Sequence, residues 1–160
     1  MRIPKIATAL ALAAGLVLAS APSAQAAPPG SGYDHTDPAQ TGCSATAITI
    51  WTKQLRHPAT GVVNGAMELR YSTACQTNWV RVDNYVNGAA ARKIIVRQRV
   101  HAPEGGSLEY AIDNTVDVYH GWSYGLQLYA PSWVCVEVGA VLTLGDTVIG
   151  SNGQALDQVC

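Results

Sequence analysis

MELRYSTACQTNWVRV, residues 67–82, is the stretch whose reading decides the fold. Met67, Leu69 and Tyr71 alternate with Glu68, Arg70 and Ser72, and Val80 and Val82 alternate with Trp79, Arg81 and Asp83. A period of two is the pattern of a strand with one buried face. STACQTN between the two runs reads as the turn of a hairpin carrying Cys75. Trp79 and Arg81 fall on the face opposite Val80, where an indole can stack on a guanidinium.

Working outward, the same pattern recurs. Thr46–Thr52 (TAITIWT) is alternating and β-branched, and Gly61–Val63 starts a second short strand. Arg92–Val100 (RKIIVRQRV) puts Ile94, Val96 and Val100 on one face and Arg97 and Arg99 on the other. The basic group Arg92, Lys93, Arg97 and Arg99 reads as a solvated strand face paired with acids across the sheet. Leu108–Ile112 is short, and Tyr124, Leu126 and Leu128 alternate. Trp133–Leu144 turns Val134, Val136 and Val138 to one side and is followed by Thr147–Ile149, and Ala155–Val159 reads either as the last strand or as one helical turn. Turn signals separate these runs: Asn64-Gly65, Asn87-Gly88, Gly105-Gly106, Gly145-Asp146 and Asn152-Gly153. One helix start, at Ser44-Ala45, is opposed by its β-branched continuation. Together these features predict an all-β fold, a compact antiparallel barrel or sandwich of about 7–9 short strands.

The first residues point to export. Arg2 and Lys5 precede the apolar run Ile6–Ala19, and Ala24-Gln25-Ala26 forms a small-residue cleavage site. This is a secretory signal peptide over residues 1–26. The apolar run is too short for a membrane anchor. The chain would then lose two of its ten basic residues and none of its eleven acids, leaving a net charge of −3. A mildly acidic chain opposes nucleic acid or an anionic membrane as main partner. Residues 27–42, rich in Pro, Gly, Ser, Thr and Asp, read as a flexible N-terminal arm ahead of a β domain over 43–160.

Cys43, Cys75, Cys135 and Cys160 all lie after the cleavage site. An even count in an exported chain implies two disulfides. Three pairings are open; the sequential one, Cys43–Cys75 and Cys135–Cys160, is favoured because it closes each half on itself. No C-x₂₋₄-C pair supports zinc. Asp34 and Asp37 allow calcium by spacing, yet an Asp before Pro38 initiates a turn without an ion. No metal and no cofactor are expected.

Catalytic motifs are missing. There is no G-x-S-x-G, H-E-x-x-H, phosphate loop or dinucleotide fingerprint. His35, His57, His101 and His120 read as surface or loop histidines, and Glu68, Glu104, Glu109 and Glu137 cannot be placed in one cleft. The expectation is a non-enzymatic protein. Its best surface for binding is YHGWSY, with Tyr119, Trp122 and Tyr124 carrying rings with polar tips.

Two motifs carry a family resemblance: D-x-x-D-P-x-x-T-G-C at Asp34–Cys43 and L-R-Y-S-x-x-C-x-x-x-W-x-R at Leu69–Arg81. They resemble the YjfA-like family of small secreted proteins of Gram-positive bacteria, a domain of unknown function. The likeness covers about half of the exported chain. It implies an all-β secreted domain with Cys43 bridged to Cys75, and it brings no catalytic residues. Many members carry further cysteines just before the Asp-Pro segment; this chain has none there, which would free the arm. One branch of such domains serves as the small linker of actinobacterial umbrella toxin particles, joining a lectin-bearing subunit to a large toxin subunit through a mobile N-terminal extension. The resemblance therefore implies secreted protein partners contacted by Tyr33, Asp34, His35 and Asp37. The alternative expectation is a stand-alone module for carbohydrate or cell envelope using the Trp122 loop.

Overall fold

The computed structural model describes residues 29–101 and 106–160. The expected signal peptide, Ala27, Pro28, Glu104 and Gly105 lie outside the described residues. The strands are β1 (Ala47–Arg56), β2 (Val63–Ser72), β3 (Thr77–Asn84), β4 (Ala90–Arg97), β5 (Val100–His101), β6 (Ser107–Leu108), β7 (Ala111–Val118), β8 (Gly121–Tyr124), β9 (Leu128–Tyr129), β10 (Val136–Leu144), β11 (Thr147–Ser151) and β12 (Asp157–Val159). Among the described residues helical structure is confined to 3-10 turns at Ser31–Tyr33 and Cys43–Thr46. The order β7-β4-β10-β11-β1-β2-β3-β8 wraps into a nearly closed antiparallel barrel, as the alternation predicts. Beyond β11 the chain returns to β10 as β12, while β9 pairs with β3, and β5 and β6 form a separate two-stranded sheet.

The opening stretch forms the hairpin β2–β3. Glu68 lies opposite Arg81, Leu69 opposite Val80 and Met67 opposite Val82. Met67, Leu69, Val80 and Val82 are buried, and with Leu55, Ile95, Val136, Val138 and Leu142 they fill the barrel. Burying each such side chain stabilises by roughly 1.5–3 kcal/mol. Cys43 and Cys75 bridge at the turn end of this hairpin and form a second, smaller core with Tyr33. Cys135 and Cys160 make the other bridge. The sequential pairing is therefore the one formed.

Four expectations are corrected. First, Asn64-Gly65 is not a turn but lies inside β2; the reversal is made by residues 57–61. Gly65 serves close approach instead: a Cβ there would sit 2.6 Å from the Asp83 carbonyl oxygen and 2.9 Å from Leu142. Second, the short strand expected over Leu108–Ile112 is divided: Leu108 ends β6, and Ala111 and Ile112 begin β7, which runs on to Val118. Third, the faces of RKIIVRQRV are inverted in part: Lys93 and Arg97 are buried while Ile94 is only half-buried. On β4, Lys93 and Arg97 alternate with Ile94 and Val96 and share the inward face of Ala91 and Ile95. Each has a partner waiting there, which makes burial of charge tolerable.

The fourth correction concerns the arm. Residues 31–42, read as flexible, are packed onto the barrel. Asp34 accepts two hydrogen bonds of 2.8 Å from the Arg97 guanidinium and one of 2.7 Å from the Tyr129 amide. Thr36 forms a β-bridge with Gln127, and the Gln127 side chain donates to the hydroxyls of Thr36 and Thr41. Tyr33 and Pro38 are buried. Composition suggested disorder because the segment has few aliphatics; what holds it is polar pairing to groups far away in sequence. His35 supports the path by adopting a left-handed conformation, φ 59°.

No ladder joins β7 to β8, so side chains close that seam. The Lys93 ammonium donates to Asp117 at 2.5 Å and to the Ser123 hydroxyl at 3.0 Å. Asp113 accepts from the Leu126 amide and the Thr115 hydroxyl. Gly125 admits this crossing, since a Cβ there would lie 2.8 Å from the Asp113 carboxylate.

Candidate functional site

The outer face of β2, β3 and β8 gathers the densest exposed chemistry. Strand pairing sets Arg81 opposite both Glu68 and Tyr124, and Asp83 opposite Trp122. Period two then brings Glu68, Arg70, Arg81, Asp83, Trp122 and Tyr124 to one side of the sheet. The Arg81 guanidinium lies 4.2 Å from the centre of the Trp122 ring. Its Nε and Nη2 donate to one oxygen of Glu68 at 3.0 and 2.6 Å. That same oxygen accepts from the Thr49 hydroxyl at 3.1 Å, and Arg70 stands 3.9 Å away. Arg70 is anchored in turn by the Ala47 carbonyl. The indole thus rests on a clamped cation, and Trp122 still keeps 44% of its surface exposed. Burial and the neighbouring Arg81 charge both lower the Arg70 pKa; Glu68 opposes them.

The sequence assigned Arg81 to Trp79. In the fold Trp79 lies opposite Arg70 and is buried, and Arg81 stacks on Trp122 instead. Glu68 and Arg81 as a pair were missed, although a symmetric hairpin around the Cys75 turn already sets them face to face. The pairing of β3 with β8 has no local signal.

Of the arm residues, Tyr33 is buried, Asp34 is spent on Arg97, and His35 is exposed. Asp37 caps its own turn by accepting from the Ala39 amide at 2.7 Å. It also takes the Tyr124 hydroxyl, which joins the arm to the aromatic face. Tyr119 is exposed at the next turn, and its carbonyl accepts from buried Asn84. His57, His101 and His120 lie apart on loops or at a strand end. Among the described residues no group of three His, Cys, Asp or Glu side chains is placed to hold a metal ion.

The Tyr124 hydroxyl has a raised pKa, first because of burial and then because of the charge of Asp37 and the hydrogen bond to it. A group raised in the folded state contributes stability that is present below its unfolded value, about 10, and lost as pH climbs through the folded one. Burial raises Tyr71 as well, so spectrophotometric titration should find a late-ionising pair, of which one is Tyr124. Asp37→Asn should move it back toward the ordinary value; no movement would mean that Asp37 does not act on Tyr124.

A second concave region lies between β1 and β11. It is a groove of about 810 Å³ with Lys53, Arg56, His57, Asn152 and Gln154 on its walls and Val141 on its floor. A smaller apolar cavity of about 200 Å³ opens at the far end of β1, among Ile50, Leu69, Tyr71, Val136 and Val159.

Among known proteins, the sequence model of a family described as a protein of unknown function (DUF2690) matches residues 31–119. The match begins at Ser31, so the packed N-terminal segment falls inside the family unit. No curated protein and no solved structure matches the chain.

Proposed function

We propose, from the premise that this chain belongs to the DUF2690 family of proteins of unknown function, that it works outside the cell as a non-catalytic binding domain. Its ligand is a carbohydrate of the cell envelope, held on the Trp122 face. The signal-like first 26 residues and the two disulfides support export. Among the described residues no helix is long and apolar enough to cross a membrane.

One observation carries the binding reading: an exposed indole with Arg81 beneath it, fixed by Glu68. A rigid aromatic plate offers apolar area at little entropic cost. The apolar face of a sugar ring covers it, while Asp83, Arg81 and the Tyr124 hydroxyl offer acceptors and donors to the sugar hydroxyls. Trp122→Ala should weaken binding to purified wall polysaccharide or peptidoglycan by tenfold or more, about 1.4 kcal/mol, with the thermal transition nearly unchanged. Binding that survives Trp122→Ala, or an intact protein that binds neither polymer, rejects the reading.

The adaptor of a toxin particle is the second reading. It rests on the likeness of Asp34–Cys43 and Leu69–Arg81 to YjfA-like proteins, and on an exposed apolar row along β7: Ile112, Val116 and Val118. Such a row is a protein-interaction surface. The linker would join its lectin-bearing and toxin subunits through barrel faces, because residues 31–42 are held by Arg97 and Gln127. Recovery of a large toxin chain and a lectin with the tagged protein from the producer's culture supernatant would support it; their absence would count against it.

A further inference from the structure

The barrel has one wall that is barely joined. Among the described residues β1 pairs with β2 along nearly its whole length, but on its other side it meets β11 only at Arg56–Ser151. Below that point β11 has ended and β12 pairs with β10 alone. The Lys53–Asp157 ion pair, 2.7 Å, spans the opening between β1 and β12. Asp157 is the anion there: burial works against its charge, but hydrogen bonds from Lys53 and Asn152 and the Lys53 charge outweigh it and lower its pKa.

The exposed edge is of an unusual kind. Over Ala47–Thr52 (AITIWT) β1 carries no charge and no proline, and Ile48 and Ile50 are 52% and 44% exposed. Edge strands are ordinarily blunted by charge, proline, a bulge or a cover, because unpaired N–H and C=O groups recruit another strand. Here a bulge at Ile50 is the blunting feature. The apolar cavity beside Ile50 exceeds the volume of about 150 Å³ that holds a benzene ring, and its lining includes Leu69, Val136 and Val159. At the other end of the opening stand Arg56 and His57. Arg56 donates to the Gly61 carbonyl and to Gln54, and no carboxylate pairs with it among the described residues.

We infer that the open edge of β1 is a strand-addition site for an extended peptide of a partner protein. The peptide runs antiparallel to β1 below the Arg56–Ser151 pair, displacing the Lys53–Asp157 contact; its leading acidic side chain reaches up toward Arg56 and, some six residues later, an apolar one enters the cavity beside Ile50. Main-chain bonds to the edge supply affinity, and the cavity and the cation supply selection. Antiparallel addition continues the pattern of every other pair in the wall. The site lies apart from the Trp122 face and stands or falls independently of it.

The test uses the folded chain and the labelled peptide Ac-Glu-Thr-Val-Thr-Val-Thr-Ile-Thr-NH₂, read by fluorescence anisotropy and amide exchange. The expected result is saturable binding with slowed exchange across residues 47–55. N-methylation of alternate peptide residues and Ile50→Lys should each weaken it at least tenfold. Arg56→Glu should reverse preference toward a peptide with Lys in place of Glu. Because Ile50 and Arg56 are exposed, both variants should fold, which a thermal scan verifies. Absence of binding, or binding indifferent to N-methylation, overturns the inference. So does a β1-mediated dimer in sedimentation that Ile50→Lys dissolves, since the edge would then belong to a second copy.

Discussion

Asp34→Ala is expected to destabilise the folded domain by about 3–5 kcal/mol, the cost of leaving a buried charge without its partner. The stranded group is the Arg97 guanidinium, whose side chain is 1% exposed. Asp34 supplies both of its carboxylate oxygens there, and the carbonyls of Glu109 and Tyr129 complete the shell. The same substitution also unpairs the Tyr129 amide. Urea denaturation at neutral pH measures the loss. Asp34→Asn should cost less, because an amide oxygen still accepts from Arg97 and Tyr129. The double variant Asp34→Leu with Arg97→Met should recover much of the deficit, as replacing both members of a buried pair by apolar groups often does. A change below about 1 kcal/mol in Asp34→Ala would mean that Arg97 finds another partner at no cost. Such a result would return residues 31–42 to the status of a free arm.

Reducing both disulfides should unfold the domain outright. The bridges close sequence separations of 32 and 25 residues. In the chain-entropy description each then removes about 3.5 kcal/mol of unfolded-state freedom, roughly 7 kcal/mol together. That sum rivals the whole stability of an ordinary domain, about 5–15 kcal/mol. The two should not yield together. Cys43 and Cys75 are fully buried, whereas Cys160 is exposed and Cys135 half-buried. Graded reductant followed by alkylation and mass spectrometry should find Cys135 and Cys160 labelled first, in a chain that keeps its β signature. Loss of that signature should accompany labelling of Cys43 and Cys75. A chain that stays folded with all four thiols labelled would show the core alone to be sufficient.

These two predictions rest on parts of the molecule that differ in how they could be foreseen. The disulfide pairing was accessible because sequential bridges close local segments, and the hairpin that carries Cys75 announces itself by alternation. The Asp34–Arg97 pair was not accessible. Sixty-three positions separate its members, and the strand bearing Arg97 gave a misleading pattern. In RKIIVRQRV the apolar Ile94 and Val96 and the cationic Lys93 and Arg97 alternate equally well, so period alone cannot say which set faces inward. The usual choice sends cations out. Here the inner set met Asp34, Asp117 and Ser123, and pairing reversed the preference.

The candidate binding face was legible by residue type and not by geometry. Tyr119, Trp122 and Tyr124 stood out because rings with polar tips suit exposed positions. Their relation to Glu68, Arg81 and Asp37 follows from the β3–β8 pairing and the return of the N-terminal segment, neither of which leaves a local trace. The open edge of β1 was equally hidden: TAITIWT reads as a strand whether or not a neighbour pairs with it.

By itself the sequence determined the all-β class, the hairpin at residues 67–82, the inward set Met67, Leu69, Val80 and Val82, and two bridges, because each depends on the alternation of neighbours or on a count. Tertiary structure alone decided that residues 31–42 belong to the barrel, that Lys93 and Arg97 face its interior, that Arg81 lies beneath Trp122, and that β1 stands open. Each of these depends on which distant strand arrives alongside, and a buried charge or a free edge is defined only by the partner that does or does not meet it.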